Sequence, residues 1–343
     1  MLIWLEFGIV LAKSRKVARS GIERKRLAMK TSGFGSMAVI GNGNIGHGIA
    51  EVFAKAGWEV CLIGRSEKSV ERAVQRIQAS LYEFVQAEVM SVSSAKTAIA
   101  NIRTSTELQA AAAAEFVIEA VPEDMELKRN TFSKLDGICS ADTVLATSSG
   151  HPASAVDKCV ERKERVIATH FWYPPQLLPL VEVCGSAATS KAVVEHTYSI
   201  LSGIGRTPVV IDREVPGFIG NRIQFAALRE AWALWAKGIA SAEAIDSVVR
   251  HSIGRRLAVT GLIESADLGG LDTMYHFARY LAPRLDSSSE PPEQVAALVR
   301  AGDCGLRSGR GVYDWTERDG SALLSERRRE LMRWLKIDDR SFG

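Results

Sequence analysis

From Ser36 to about Asp212, short apolar runs alternate with longer stretches of helical period. "MAVIG", "WEVCLIG", "FVIEAV", "TVLATS", "RVIATH", "LPLVEV" and "TPVVID" read as strands. The stretches 45–56, 67–88, 126–135 and 190–201 repeat their apolar residues at helical spacing and read as helices. Strands this apolar, each followed by a helix, predict an α/β fold whose mostly parallel sheet is covered on both faces. The five alanines at 110–114 read as a plain surface helix.

After Pro216-Gly217 the strand signal stops. "FIGNRIQFAALREAWALWAKG" keeps helical spacing until Gly238, and Ser241, with Glu243 and Ala244 behind it, opens another helix with part of a capping box. "GGLDTMYHFARYLAPRL" and "PPEQVAALVRAG" read as further helices. The organisation expected is an α/β domain over 36–215, an all-helical domain over 216–318 and a helical tail over 319–343. The tail, "SERRRELMRWLKIDDR", is basic and amphipathic and reads as a solvated end.

Composition narrows the classes without choosing one. A chain of 343 residues has room for two cores, and 46% hydrophobic with 24% charged residues is ordinary for a globular protein. A net charge of +3 makes no case for nucleic acid. Cys61, Cys139, Cys159, Cys184 and Cys304 are odd in number and scattered, which points to reduced thiols in a cytoplasmic protein and to no disulfide framework or metal site. Residues 1–35 do not match the rest. "MLIWLEFGIVLA" is about half the length of a membrane span, and its basic stretch follows the apolar run where a secretory signal would place it before. An upstream start codon, with Met29 as the true start, is the favoured reading; a disordered tail and a peripheral membrane anchor are the alternatives.

The chemistry begins at Gly41-Asn42-Gly43-Asn44-Ile45-Gly46, directly after a strand and directly before a helix. In a Rossmann-type domain the first glycine makes the turn, the second admits a pyrophosphate and the third lets helix and strand pack closely. The plain alternative is a glycine-rich turn without a ligand. His47, just inside the helix, reads as exposed. About 20 residues further on, NAD enzymes carry an acid for the adenosine ribose. Here the second strand ends in Gly64, Arg65 and Ser66. Gly64 removes the carboxylate that would repel an extra phosphate and leaves space, while Arg65 and Ser66 offer donors to it. Bonds of that kind contribute about 1.5–3 kcal/mol each, so a preference for NADP over NAD, or use of both, is expected. The alternative has Arg65 stacking over adenine.

Three later phrases, "VIEAVPEDMELKRNTFSKLD", "RVIATHFWYPPQLLPLVEV" and "DREVPGFIGNRIQ", together resemble the 3-hydroxyacyl-CoA dehydrogenase family from Met37 to about Trp315. The resemblance implies a catalytic base at His170, an orienting acid at Glu182, and Ser149 and Asn221 beside the reacting oxygen. The serine match requires a one-residue gap, so Ser148 is its alternative. The resemblance further places Glu123, Lys128, Tyr173 and Arg307 around the cofactor. The chemistry agrees: alcohol oxidation needs a base as hydride leaves, histidine serves both directions, and a carboxylate on its other nitrogen sets the tautomer.

The chain departs from the family pattern in three places. Tyr173 stands where an asparagine is expected, and Gly64 stands where the ribose acid is expected. The stretch 69–99, where acyl-CoA members carry lysines for the CoA phosphates, offers only Arg72, Arg76 and Lys96. Part of the wording resembles the L-gulonate dehydrogenase and lambda-crystallin branch, and part resembles bacterial 3-hydroxybutyryl-CoA dehydrogenases. The expected function is NAD(P)-dependent dehydrogenation of a 3-hydroxyacyl-CoA, with a small free 3-hydroxy acid as the alternative substrate. A nucleotide-binding sensor or structural protein is the non-enzymatic alternative. The apolar faces of the helical domain, with Trp232 and Trp235, imply a homodimer through that domain, and no nucleic-acid or membrane partner is expected.

Overall fold

The computed structural model describes residues 35–341; the extension expected over 1–35 lies outside them except for Gly35. The chain divides into two compact units. One joins the described residues up to Phe218 with those from Arg328 onward, and the other is Ile219–Arg327.

The first unit is built on eight strands among the described residues: β1 (Ser36–Ile40), β2 (Glu59–Ile63), β3 (Ile102–Ser105), β4 (Phe116–Glu119), β5 (Val144–Thr147), β6 (Val166–Phe171), β7 (Leu180–Gly185) and β8 (Thr207–Val210). They lie in the order β3-β2-β1-β4-β5-β6-β7-β8. All neighbours are parallel except β6 and β7, which run antiparallel. The strand order reverses between β1 and β4, and ligands of such sheets bind beyond the strand ends at that point.

Alternation within the strands feeds two cores. Met37 and Val39 pack into one cluster with Ile49, Phe53 and Phe116, while Ala38 and Ile40 pack into the other with Phe132 and Leu145. The covering helices are α1 (Gly46–Lys55), α2 (Glu67–Gln86), α3 (Val92–Ala100), α4 (Met125–Ile138) and α5 (Lys191–Gly203).

The alanines at 110–114 form no surface helix: a short 3-10 turn at Leu108–Ala111 precedes β4, and Ala111 and Ala114 are buried beneath it. β3 and α3 went unread, because "IRTS" is only half buried and α3 buries only Ala98. The final helix is not a solvated end. Met332 is buried against Phe84 and Leu177, and Arg328 pairs with Glu83 on α2.

The second unit holds α6 (Phe218–Ala236) beyond its first residue, α7 (Ala242–His251), α8 (Ile253–Leu257), α9 (Leu262–Leu268), α10 (Leu271–Leu281) and α11 (Glu293–Ala301), and α12 (Gly320–Ser341) starts in it. The Ser241 hydroxyl caps α7 by accepting from the Ala244 N–H at 3.3 Å, as the partial capping box predicted. None of α7 to α11 contains a buried residue. Ile263, Leu268, Leu271, Phe277 and Tyr280 on these helices are exposed. No helix among the described residues is long and apolar enough to cross a membrane.

Candidate active site

The glycine-rich turn fits a dinucleotide, and each glycine has its own reason. A side chain on Gly41 (φ +104°) would meet the Ala120 carbonyl oxygen at 2.5 Å, and one on Gly46 would meet the Gly41 carbonyl oxygen at 1.9 Å. At Gly43 a Cβ would meet nothing within 4 Å, which leaves the backbone open to a bulky group. Ile45, the N-cap residue of α1, makes no side-chain cap, which suits a helix end that meets an anion, while the His47 N–H goes to the Gly43 carbonyl at 3.2 Å. His47 is buried, contrary to its reading as an exposed residue; its Nδ1 lies 2.7 Å from the Gly43 carbonyl. Burial holds its imidazole below the ordinary histidine value, against that hydrogen bond, and the Arg76 and Arg328 charges add to the depression.

At the end of β2 the space expected beside Gly64 is already taken. A Cβ there would meet the Asn42 amide nitrogen at 2.6 Å and Val70 at 2.7 Å. Asn42 donates to the Ser69 hydroxyl at 2.9 Å, and its carbonyl accepts from Arg76 at 2.7 Å. Ser66 caps α2 in a reciprocal box with Ser69, so its hydroxyl oxygen already accepts the Ser69 N–H at 3.4 Å. Arg65 is exposed.

The catalytic candidates lie further along the same sheet edge. His170 and Glu182 are direct partners across the antiparallel β6–β7 pair, and His170 Nδ1 lies 2.8 Å from Glu182 Oε2. The carboxylate is 3% exposed and the imidazole 12%, so the pair works in a largely desolvated setting. With Nδ1 committed to the carboxylate, Nε2 is the nitrogen left for a substrate proton. Two aromatic residues fix the pair. The Trp172 indole donates to the same Glu182 oxygen at 3.2 Å, and Phe218 stacks on the imidazole at 5.1 Å with the rings 9° apart.

Ser149 reaches this edge just past the end of β5. Thr147 ends β5 opposite Ala168 on β6, and Ser149 lies in the bend that follows β5, as His170 lies two residues beyond Ala168 on β6. Ser149 Oγ donates to Glu123 Oε2 at 2.7 Å and accepts from the His151 N–H at 3.0 Å. Glu123 is half exposed and also faces Lys128 Nζ at 3.7 Å and His151 Nε2 at 3.8 Å. Lys128 is itself buried in an ion pair with Glu119, at 2.9 Å. Ser148 is buried with no partner for its hydroxyl among the described residues.

Ser149, Glu123 and Lys128 are therefore joined in one network, and His170 with Glu182 forms a second arrangement. Tyr173 follows Trp172 and is exposed. Asn221, on α6, and Arg307, in the 306–308 turn, belong to the second unit. The buried Cys184 on β7 is no competing nucleophile: burial, with Glu214 and Asp212 nearby, pushes its thiol up to about 11. Sequence reasoning passed over Glu119, Trp172, Phe218 and the partnership of His151 with Glu123. The signal for Glu119 was available, since a charge inside the apolar run "FVIEAV" needs a buried partner.

The description 3-hydroxyacyl-CoA dehydrogenase, NAD binding domain, matches residues 36–215, and the C-terminal domain of the same description matches 217–315. The chain is 30% identical to a 5-formyl-3-hydroxy-2-methylpyridine 4-carboxylate 5-dehydrogenase of Mesorhizobium japonicum, over 87% of this chain and 96% of that one. It is 33% identical to a probable 3-hydroxybutyryl-CoA dehydrogenase of Bacillus subtilis, over 82% and 97%. Among solved structures, an FHMPC 5-dehydrogenase described as an NAD+-dependent dismutase superposes with a TM-score of 0.81 at 28% identity, over 89% of this chain and 99% of that one.

Proposed function

The chain belongs to the 3-hydroxyacyl-CoA dehydrogenase family and is an oxidoreductase of that family, and we propose that it oxidises the 3-hydroxy group of a short 3-hydroxyacyl-CoA. The observation that carries this reading is the buried hydrogen bond between His170 and Glu182 at the ligand-binding edge of the sheet. His170 Nε2 takes the hydroxyl proton of the substrate, or returns it in the reverse direction. Glu182 stabilises the imidazolium through Nδ1, and Trp172 and Phe218 keep both rotamers in place. Ser149 turns its one hydroxyl proton from Glu123, which aims it at rest, to the oxygen on which charge develops, and Asn221 is the second donor by the family resemblance. When bound, the nicotinamide supplies the hydride acceptor or donor. Gly41, Gly43, Asn44, Ile45 and Gly46 would hold its pyrophosphate, and the exposed Glu123 and Tyr173 would line the remaining contacts, with the buried Lys128 acting only through Glu123.

A second substrate reading, a small free 3-hydroxy acid, has its own support. Arg72, Arg76 and Lys96 are the exposed cations of the stretch 69–99, and Arg76 is already engaged on the Asn42 carbonyl. A CoA ester brings several phosphate charges, whereas a small acid needs none of these residues. For the cofactor, the family gives NAD; use of NADP through Arg65 is our finer proposal. The Asn42 amide that fills the space beside Gly64 supports it, because an amide does not repel a phosphate as a carboxylate would.

The exposed apolar residues of α7 to α11 support a homodimer formed through the second unit. Initial rates with acetoacetyl-CoA and with free 3-keto acids, each with NADH and NADPH, test these readings together. The proposal expects turnover with the CoA ester, and turnover of the free acids alone would transfer it to the second reading. Arg65→Ala should lower the preference for NADPH roughly ten- to a hundredfold. An unchanged ratio would leave Arg65 without a part in cofactor choice.

A further inference from the structure

Glu119 ends β4 and is fully buried, and its ion-pair partner Lys128 is buried with it. Two desolvated charges are tolerated only where their remaining hydrogen-bonding capacity is satisfied. Here Oε1 accepts the Val121 N–H at 2.7 Å and Lys128 Nζ at 2.9 Å, while Oε2 accepts the Thr147 hydroxyl at 2.8 Å. Each partner leads to the site. Thr147 Oγ1 accepts the Ser149 N–H at 3.2 Å, which holds the serine by its backbone. Lys128 Nζ stands 3.7 Å from Glu123 Oε2, the oxygen that accepts the Ser149 hydroxyl at 2.7 Å. Val121 lies on the turn that carries Glu123. One carboxylate therefore holds Ser149 from two sides, by its amide through Thr147 and by its hydroxyl through Lys128 and Glu123.

We propose that Glu119 is a positioning residue of the dehydrogenase reaction, acting on Ser149 through Thr147 and through Lys128 with Glu123. The proposal rests on the dehydrogenase reading and on Ser149 acting in it. Glu119 is 0% exposed and touches no substrate. Its charge keeps the Lys128 ammonium shared between two carboxylates. Without that charge, Lys128 pairs with Glu123 alone and draws it off the Ser149 hydroxyl, while the Thr147 hydroxyl is free to turn away from the strand.

The test is a double-mutant cycle with Ser149. Glu119→Gln and Thr147→Val should each lower kcat roughly tenfold, the scale set by a buried polar group left unpaired. In a Ser149→Ala background the same changes should cost less than about twofold, because residues in one network do not act additively. Thr147→Ser, which restores the hydroxyl, should recover kcat. NADH affinity of the Thr147→Val enzyme, read by fluorescence titration, should stay within about threefold, since the first turn of α1 is untouched. Thermal unfolding separates loss of fold from loss of position, and the Thr147 variants carry the test if Glu119→Gln does not fold. Equal losses in both backgrounds, or no loss in either, would overturn the role of Glu119. Unchanged kcat in Ser149→Ala itself would overturn the part given to Ser149, and this proposal with it, while leaving His170 to its own test.

Discussion

The two units bury their apolar residues in opposite ways. In the first, both faces of the sheet are covered, and Phe53, Phe116, Phe132 and Phe171 have lost contact with solvent. In the second, Ile263, Leu268, Leu271, Phe277 and Tyr280 face solvent, and α7 to α11 bury none of their residues. The first unit has a closed core and can hold its polar network in fixed geometry. The second has helices with apolar faces and little core of its own, the faces that the proposed second copy would cover. Chemistry should therefore respond to single changes in the first unit, and assembly to changes in the second.

The sharpest contrast comes from Glu182→Gln in the first unit. It should lower kcat about 10²–10⁴-fold by removing the charge that stabilises the imidazolium, with the mass in light scattering unchanged. A substitution on α10 should do the reverse. Phe277→Glu puts a charge on an exposed apolar face, and its expected outcome is a monomeric mass with the unfolding transition of the first unit retained. A wild-type chain that is itself monomeric would break the comparison, because the exposed faces would then have no second copy to meet.

The smallest effect concerns a charge that the first unit buries at some cost. Burial raises the Glu51 carboxyl above its ordinary value of 4.5, against the pull of Lys55, Ser80 and Arg328. A raised value means that the folded state holds the proton more tightly than the unfolded chain. The stability this contributes is complete below about 4.5 and is lost as pH rises through the folded value. Glu51→Gln should therefore raise the melting temperature at neutral pH and lose that advantage in acid. An equal shift at both pH values would contradict the account of Glu51.

Most of the first unit was legible because its strands are continuous apolar runs and its turn is marked by glycines. The 12-residue spacing of His170 and Glu182 is the length of a strand, a loop and a returning strand, so the antiparallel β6–β7 pair brings them face to face. The ribose corner was read only halfway. Gly64 was visible, but the residue that fills its space, Asn42, lies 22 positions earlier and meets it only through the pairing of β1 with β2. β3 was hidden because an edge strand with half-exposed residues lacks a clean alternation. The packing of the last helix was hidden for a different reason. Its basic residues mark one face, and nothing in the sequence shows that Met332 meets Phe84 and Leu177. Glu119 could be seen as an acid in an apolar strand, but its connection to Ser149 exists only in the folded network.

The central claim is that His170 transfers the proton and takes no part in holding the cofactor. The measurement that tests it most directly is single-turnover oxidation followed by nicotinamide absorbance in His170→Asn, beside an NADH titration of the same protein. The account predicts a rate at least about a hundredfold lower, with NADH affinity within roughly a factor of three of the wild type. A rate within about twofold of the wild type, at unchanged affinity, would contradict it.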